Sequence, residues 1–266
     1  MSSEDEQPAV AGFDVAATPL PEPPWRAGSR SRSAAPRVPL TREAIVDAAI
    51  RVLDRTGLDS LSMRAVGEEL GTGSASIYWH VRNKGELLQL IVERVMGGVR
   101  LPEPDPFRWE QQLRGLAADM RAAMNSHRDI ARISMGRVPF GPTTVRFIEW
   151  LFQLLGPVGV PDKVISYVGD VFALYIGAHA FEESLGVVSP IGEEMAPEAV
   201  RDMFGGYLAA LPADRFPNVR RLGDRLFDND VEARFDFGVD LLLLGLRRYA
   251  GPDGSDAPDG AGAPRP

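Results

Sequence analysis

The chain has 266 residues, of which 44% are hydrophobic and 25% charged, values ordinary for a soluble globular protein of one or two domains. It contains no cysteine, which excludes disulfide bridges, thiol catalysis and cysteine-based zinc sites. The three histidines, His80, His127 and His179, are too few and too scattered for a metal cage. We therefore expect neither a metal nor a cofactor.

Judged by total charge alone, the formal net charge of -8 opposes binding to a polyanion such as DNA. Between residues 37 and 98, however, eight basic side chains balance eight acidic ones, so the acidic excess lies elsewhere. The amino terminus lacks a basic segment followed by an apolar run, and no segment approaches about 18 uninterrupted apolar residues. We expect a cytoplasmic protein that does not enter membranes.

Both ends of the chain have the composition of disordered segments. Residues 1–38 mix Pro, Ala, Ser and Gly without apolar periodicity, and residues 251–266 form a low-complexity tail. An arm with several arginines and no intervening acid either follows a minor groove or phosphates, or only solubilises the chain. Those arginines are Arg26, Arg30, Arg32 and Arg37.

Residues 39–100 predict a small domain of four helices. Thr41 is placed to cap a first helix that ends at Gly57. Ser62 caps a second helix that runs from Met63 to Leu70, and Gly73 or Ser74 opens a third. A fourth helix begins near residue 84 and fades at residues 97–98.

Residues 62–84, which we call the reading head, have the form of a helix-turn-helix, whose second helix enters the major groove of DNA. If Ile77 and Val81 face the core, helical geometry turns Trp79 outward and places Tyr78 on the flank. The two aromatic residues belong either to the core or to a surface that contacts DNA. The aliphatic residues already assigned to the core favour the DNA-contacting interpretation.

Residues 106–250 predict a larger all-α domain, because helical periodicity recurs there and no strand alternation competes with it. Two segments, DVFALYIGAHAF and FDFGVDLLLLGLRRY, are apolar nearly all round, which indicates burial in the bundle or against a second copy of the chain. The expected helices lie at about 109–126, 128–135, 143–155, 162–185, 198–211 and 231–249.

The run GTGSASIYWHVRNKGELL resembles the signature of the TetR family of bacterial transcriptional regulators, and YWHVRNK is especially similar to its tetracycline-repressor branch. The runs NSHRDIARISMG and AFEESLG extend the resemblance, more thinly, into the C-terminal half. The resemblance implies a homodimeric repressor that binds a double-stranded DNA operator with two half-sites. A small-molecule effector would release it by shifting the population of its conformations.

The resemblance also places DNA contacts on the second helix, the turn, the third helix and the start of the fourth. Because residues 73–76 are small, the reading head is better equipped to hold phosphates than to read bases. Arg64 either reaches a guanine edge or phosphate, or is an ordinary solvated residue. The matched positions are Ser62, Arg64, Thr72, Gly73, Ser74, Ala75, Ser76, Tyr78, Trp79, His80 and Lys84.

The candidate effector pocket is apolar with few polar groups, and most of its members also suit a plain core. His179 and Glu182, three residues apart, either bind a polar group of the ligand or lie at the dimer seam. Where tetracycline-binding relatives use a histidine and a threonine, this chain has Ser134 and Arg137, so a magnesium-tetracycline ligand is not implied. The candidates are Met120, Met124, Ile133, Ser134, Met135, Phe147, Trp150, Leu151, Phe172, Tyr175, His179 and Glu182.

Two other classes of function compete with this interpretation. An all-helical enzyme would use His179, Glu182 and Glu183 as acid-base groups, but no nucleophile, phosphate loop or cofactor motif accompanies them. We therefore expect no enzyme. An adaptor protein whose helix-turn-helix binds another protein would suit the neutral reading head and an exposed Trp79.

Overall fold

The computed structural model describes residues 40–135, 141–185, 197–223 and 230–251. The predicted arm at residues 1–38, nearly all of the predicted tail and Arg137 lie outside these ranges. Every regular element within them is helical, as the sequence predicts. The helices are α1 (Arg42–Thr56), α2 (Met63–Glu69), α3 (Ser74–Tyr78), α4 (Lys84–Met96), α5 (Trp109–Asn125), α6 (Ile130–Met135), α7 (Pro142–Leu155), α8 (Asp162–Leu185), α9 (Pro197–Ala210), α10 (Pro217–Leu222) and α11 (Val231–Arg247), with a 3-10 turn at Pro106–Arg108 before α5.

The predicted caps of the first two helices are confirmed. The Thr41 hydroxyl accepts a hydrogen bond from the Ala44 amide at 3.1 Å, which satisfies a backbone donor that the first turn leaves open. Ser62 caps α2 in the same way. α2 ends at Glu69, one residue earlier than predicted, and Gly57 ends α1 with a φ of 77°.

Two further differences from the prediction concern α6 and α10. α6 begins at Ile130 rather than near residue 128, because Asp129 has a φ of 61° and the Arg128 amide donates to the Asp54 carboxylate instead of to a helical carbonyl. The short helix α10 was not predicted. Its six residues are too few to show helical periodicity, and Pro217 at its first position is its main sequence signal.

A single apolar core runs from α1 to α11. In the N-terminal part, Leu53 of α1, Ile77 of α3 and Ile91 of α4 are completely buried, and each stabilises the fold by about 1.5–3 kcal/mol relative to exposure. In the C-terminal part, α8 packs against α5, α6 and α7, and α11 packs against α5 and α8. This core joins the reading head to the larger bundle.

The central helix of the larger bundle is α8. By length and composition alone it could cross a membrane. Its residues Ile165, Phe172, Ile176 and Ala180 are instead buried against neighbouring helices, as expected for the core helix of a bundle. The segment DVFALYIGAHAF therefore occupies the central position that its composition predicts.

Gly57 should be intolerant of a side chain. Its φ of 77° and ψ of 170° lie in a region nearly restricted to glycine, and an added Cβ would lie 3.1 Å from the Arg128 guanidinium carbon. We expect Gly57→Ala to lower the free energy of unfolding by about 1–3 kcal/mol in urea titrations. The matched control is Gly115→Ala in α5, where nothing lies within 4 Å and the better helix former should add about 0.5–1 kcal/mol. Equal effects of the two substitutions would contradict this account.

Candidate nucleic-acid interface and effector cavity

The turn of the reading head is fixed closely against α2. The Thr72 amide donates a hydrogen bond of 2.8 Å to the carbonyl of Gly67, and Gly71 takes a φ of 62°. A Cβ at position 67 would lie 2.9 Å from the Thr72 carbonyl oxygen, so only glycine allows this approach. The close turn sets the direction in which α3 leaves α2.

The short helix α3 presents its aromatic residues to solvent. Ile77 and Val81 are completely buried, whereas Tyr78 is 52% exposed and Trp79 is 70% exposed. This orientation is the one that helical spacing predicts. Large aromatic side chains held outside a core that is already filled indicate a contact surface.

Several of the predicted DNA-contacting residues also hold the reading head together. The Ser62 hydroxyl is occupied as the N-cap of α2, and the Lys84 ammonium donates to the Leu58 carbonyl at 3.1 Å. The His80 carbonyl accepts a hydrogen bond from the Arg42 side chain. Gly73 and Ala75 are exposed, and Thr72, Ser74 and Ser76 are half-buried.

Two arginines supply positive charge at the surface of this region. Arg64 is 83% exposed and lies 3.3 Å from Glu68, which neutralises part of its charge. Arg82, which the family resemblance did not assign to DNA, is also exposed, and the described residues offer it no ion pair. Its position two residues after His80 indicates, in the sequence, that it lies on the outward side of the reading head.

Two acidic residues near the reading head, Glu69 and Asp59, are engaged by neighbouring arginines. Glu69 of α2 accepts from Arg51 at 2.9 Å and from Arg55 at 2.8 Å, and these hydrogen bonds hold the pKa of its carboxyl below the ordinary value of 4.5. Arg132 lowers the pKa of Asp59 in the same manner. These ion pairs neutralise carboxylates that would otherwise repel DNA.

A set of polar contacts, which we call the α1–α6 junction, joins residues 54–59 to residues 127–132. The Asp54 carboxylate lies 2.9 Å from Nδ1 of His127, and the Leu58 amide donates to Asp129 at 2.8 Å. Arg132 makes two hydrogen bonds to Asp59, at 3.0 and 3.2 Å. Movement of α6 is therefore mechanically connected to the base of the reading head.

A cavity of about 410 Å³ lies among α4, α5, α6, α7 and α8. Its wall is mostly apolar, with a few hydroxyl and carboxylate groups, as is typical of sites for small organic ligands. Seven of the residues suggested from the sequence line it: Met120, Met124, Ser134, Met135, Phe147, Leu151 and Phe172.

The other suggested residues lie outside this wall. Ile133 is buried in the core, and the Trp150 indole donates to the Pro102 carbonyl at 2.6 Å. The Tyr175 hydroxyl donates to the backbone of α11, 2.9 Å from the Phe235 carbonyl, and burial raises its pKa above the ordinary value. Their polar groups are thus engaged in holding the bundle.

The predicted pair of His179 and Glu182 is wrong. Nδ1 of His179 lies 2.7 Å from Glu183, one residue further along α8, while Glu182 accepts from Arg234 of α11. The side chain four residues away stays closer to the same helical face than the one three residues away, and Glu182 is turned toward α11. Glu183 is also held by Arg121 at 2.8 Å.

Sequence reasoning missed the contribution of α4 to the cavity. Gln89, Val92, Glu93 and Met96 line it, at a spacing that places them on one face of the helix. The spacing of these residues is visible in the sequence, but α4 was assigned as a whole to the N-terminal domain. One helix thus belongs to both the reading-head domain and the cavity.

The hydroxyl of Ser134, one of the two residues at the tetracycline-site positions, is engaged within its own helix. The Ser134 hydroxyl donates to the Ile130 carbonyl at 2.9 Å. Within the described ranges, no group of three or more histidine, aspartate or glutamate side chains is arranged to hold a metal ion.

Two family models match the chain. The model described as bacterial regulatory proteins, tetR family, matches residues 45–91. The model described as tetracyclin repressor-like, C-terminal domain, matches residues 101–249.

Curated relatives and solved structures agree with these models. The transcriptional repressor DrrR1 of Streptomyces coeruleorubidus is 29% identical over 84% of this chain and 82% of its own length. The class D tetracycline repressor protein of Escherichia coli is 34% identical over 78% of this chain and 89% of its own. The structure of the TetR family protein ActR of Streptomyces coelicolor in complex with actinorhodin has a TM-score of 0.73 and 39% identity, covering 81% of this chain and 99% of that one.

The carboxylate of Glu69 should make the fold sensitive to acid. Because its folded pKa is below the unfolded value of 4.5, its contribution to stability is fully present above pH 4.5 and is lost as pH falls through the lower folded pKa. In urea titrations over a pH series, Glu69→Gln should therefore cost stability above pH 4.5 and progressively less below it. Arg51→Gln and Arg55→Gln should each reproduce part of this pattern. A cost that does not change with pH would contradict the assignment.

Proposed function

Because the chain belongs to the TetR family of bacterial regulators, we propose that it is a transcriptional repressor that binds a palindromic operator as a homodimer and is released by a small-molecule effector. Residues 39–100 would form the DNA-binding domain, and residues 106–250 the effector-binding and dimerisation domain. The observation that carries this proposal is the position of α4, which begins at the reading head and ends in the wall of the cavity. Nothing in this arrangement calls for catalysis.

On the DNA side, we assign the exposed residues of α3 to the contact surface. The Tyr78 hydroxyl, the Trp79 indole and the His80 ring can donate hydrogen bonds to phosphate oxygens, and Arg64 and Arg82 supply charge. Ser62 and Lys84 would act mainly by shaping the reading head, since their side chains already bond within it. Thr72 and residues 73–76 bring the backbone close to the groove.

On the effector side, the apolar cavity suits a small hydrophobic or amphipathic molecule. The volume of about 410 Å³ is within the range of pockets for drug-sized ligands. The related protein ActR was crystallised in complex with actinorhodin, which supports a small-molecule ligand for this chain. The described part of the cavity wall would supply the contacts, and the suggested residues that lie outside it would hold the wall in place.

Coupling between the two sites would use α4 and α6. Ser134 and Met135 of α6 line the cavity, and Arg132 of the same helix bonds to Asp59 beside the reading head. A ligand that prefers one position of these helices shifts the population toward it. The separation of the two reading heads in a dimer would then no longer match half-sites spaced about 34–36 Å apart.

The dimer interface would form from exposed apolar stripes on α8 and α11. Tyr167, Val171 and Leu174 are exposed at spacings of four and three residues along α8. Phe237, Leu241 and Leu244 repeat this spacing on α11. Such stripes, at coiled-coil spacing on two neighbouring helices, favour burial against the same two helices of a second copy.

Replacing Trp79, the exposed aromatic residue directly after α3, should weaken DNA binding without unfolding the protein. Purified protein should select a palindromic duplex from a random library, and Trp79→Ala should reduce its affinity by roughly tenfold, with an unchanged salt dependence because tryptophan carries no charge. The matched control is Phe107→Ala, since Phe107 is 99% exposed but lies outside the reading head. Selection of no specific duplex would overturn the proposed function, and equal affinity of Trp79→Ala and wild type would overturn the contact assignment.

A charge placed in the exposed stripe of α11 should separate the protomers. Leu241→Glu would bury an unpaired carboxylate twice in a symmetric interface, raising the dissociation constant of the dimer by on the order of a hundredfold. Analytical ultracentrifugation over a concentration series measures this shift. Phe107→Glu adds the same charge at an exposed aromatic residue outside the stripes and should leave the dimer intact. A dimer unaffected by Leu241→Glu would place the interface elsewhere.

A further inference from the structure

Glu93, in the last turns of α4, caps a different helix. Its carboxylate accepts a hydrogen bond of 3.1 Å from the Thr143 amide, in the first turn of α7. The cap position of α7 is Gly141, which has no side chain to satisfy these amides. A Cβ at Gly141 would collide with the Glu93 carboxylate, so glycine at this position allows the approach.

The same carboxylate lies in the wall of the cavity. Glu93 and Asp170 are the ionisable side chains among the described lining residues, and both are acidic. The described residues offer Asp170 no ion pair. A mostly apolar cavity with two carboxylates attracts a cation and repels an anion, and the low polarity around it strengthens both effects.

The described wall contains no basic side chain, and most basic residues of the five surrounding helices bond elsewhere. Lys84 of α4 donates to the Leu58 carbonyl, whereas Nε of Arg146 in α7 is buried without a described hydrogen-bond partner. Arg94 of α4 pairs with Asp47, and Arg132 of α6 pairs with Asp59. On the other three helices, the basic side chains pair elsewhere or lie outside the described wall. These are Arg114, paired with Asp240, Arg121, paired with Glu183 and Glu232, Arg146, and Lys163, which lies 6.0 Å from the centre of the Tyr167 ring.

We propose that the effector is a largely apolar cation, such as a protonated heteroaromatic amine, and that Glu93 binds its N–H group. The methionine and phenylalanine side chains of the wall adapt to the ring system, and Asp170 contributes a second negative charge from its more exposed position. This inference rests on the proposed function, because it names the ligand class of the same cavity.

The position of Glu93 allows a bound cation to influence the reading head through α4. The Thr143 amide uses Oε2 of Glu93, so a ligand N–H group that binds the same carboxylate becomes part of the tie between α4 and α7. α4 carries Leu87 and Ile91, which are completely buried in the core of the N-terminal domain. A change at the cavity end of α4 is therefore transmitted to the helices that hold α3.

Two probes of similar three-ring shape and opposite charge test this inference. Titration of the full chain, free of DNA, with aminoacridine (a cation at neutral pH) and with anthracene carboxylate (an anion) is followed by probe fluorescence and by calorimetry. We expect the cation to bind at least about tenfold more tightly than the anion. Glu93→Gln, which keeps an acceptor for the Thr143 amide, should weaken cation binding by about tenfold and should not weaken binding of the anion.

The matched control is Glu149→Gln on the neighbouring helix α7, where an exposed carboxylate accepts from Gln153 and does not line the cavity. This variant should bind the cation as the wild type does. Circular dichroism melting curves exclude unfolding as the cause of any loss, and Asp170→Asn provides a second variant, with an expected loss of a few fold. Equal or tighter binding of the anion, no saturable binding of the cation, or an unchanged affinity in Glu93→Gln would overturn the inference.

The proposed function fails by a different readout. A chain that selects a palindromic operator and is released from it by a neutral or anionic compound would retain the proposed function and lose this inference. A chain that binds the aminoacridine cation through Glu93 but selects no duplex would do the opposite.

Discussion

The structure depends on the packing of α4, whose two faces are buried against different partners. Leu87 and Ile91 are completely buried in the N-terminal core, whereas Val92 and Met96, on the other side, line the cavity. Both faces are apolar, so α4 cannot turn about its axis without exposing one of them to water, at about 25 cal/mol for each Å². A shift of α4 as a rigid body would keep both faces covered and would carry a displacement from its cavity end to its start at the reading head. The packing of α4 is therefore the physical link between the cavity and the reading head.

The contacts that hold the two domains in register differ from this core. The α1–α6 junction consists of exposed or half-exposed ion pairs and hydrogen bonds, such as those of Asp54 with His127 and Asp59 with Arg132. Exposed pairs of this kind each contribute about 0–1 kcal/mol and exchange readily with water. These contacts cost little to rearrange by themselves, whereas the apolar core that continues from α1 to α11 beneath them resists a large displacement.

The sequence was sufficient to predict what short-range chemistry determines. Thr41 and Ser62 were recognisable as caps, and the spacing of Ile77 and Val81 correctly predicted that Tyr78 and Trp79 face outward. The residues that line the cavity were predicted less well. Trp150 bonds to a carbonyl far from it in the chain, as does Tyr175, and no local pattern indicates such a partner.

The pairing of His179 and the role of Glu93 also could not be predicted from the local sequence. His179 lies near Glu183 rather than Glu182, because the choice depends on where α11 places Arg234. Glu93 looks in sequence like any polar residue on a surface helix, and only the missing side chain at Gly141 gives it a partner. Spacing along one helix predicts which face a residue occupies, whereas the function of that face depends on the helix that packs against it.

The distribution of charge explains how an acidic chain can approach DNA. Around the reading head, Asp54, Asp59 and Glu69 each have a cationic or histidine partner, and Arg82 has none among the described residues, so the local field is not that of the whole chain. Inside the cavity the balance is reversed, with two carboxylates and no described basic group in the wall. The described residues thus leave the reading head close to neutral while the chain as a whole is acidic, and this lowers the repulsion between the reading head and phosphate.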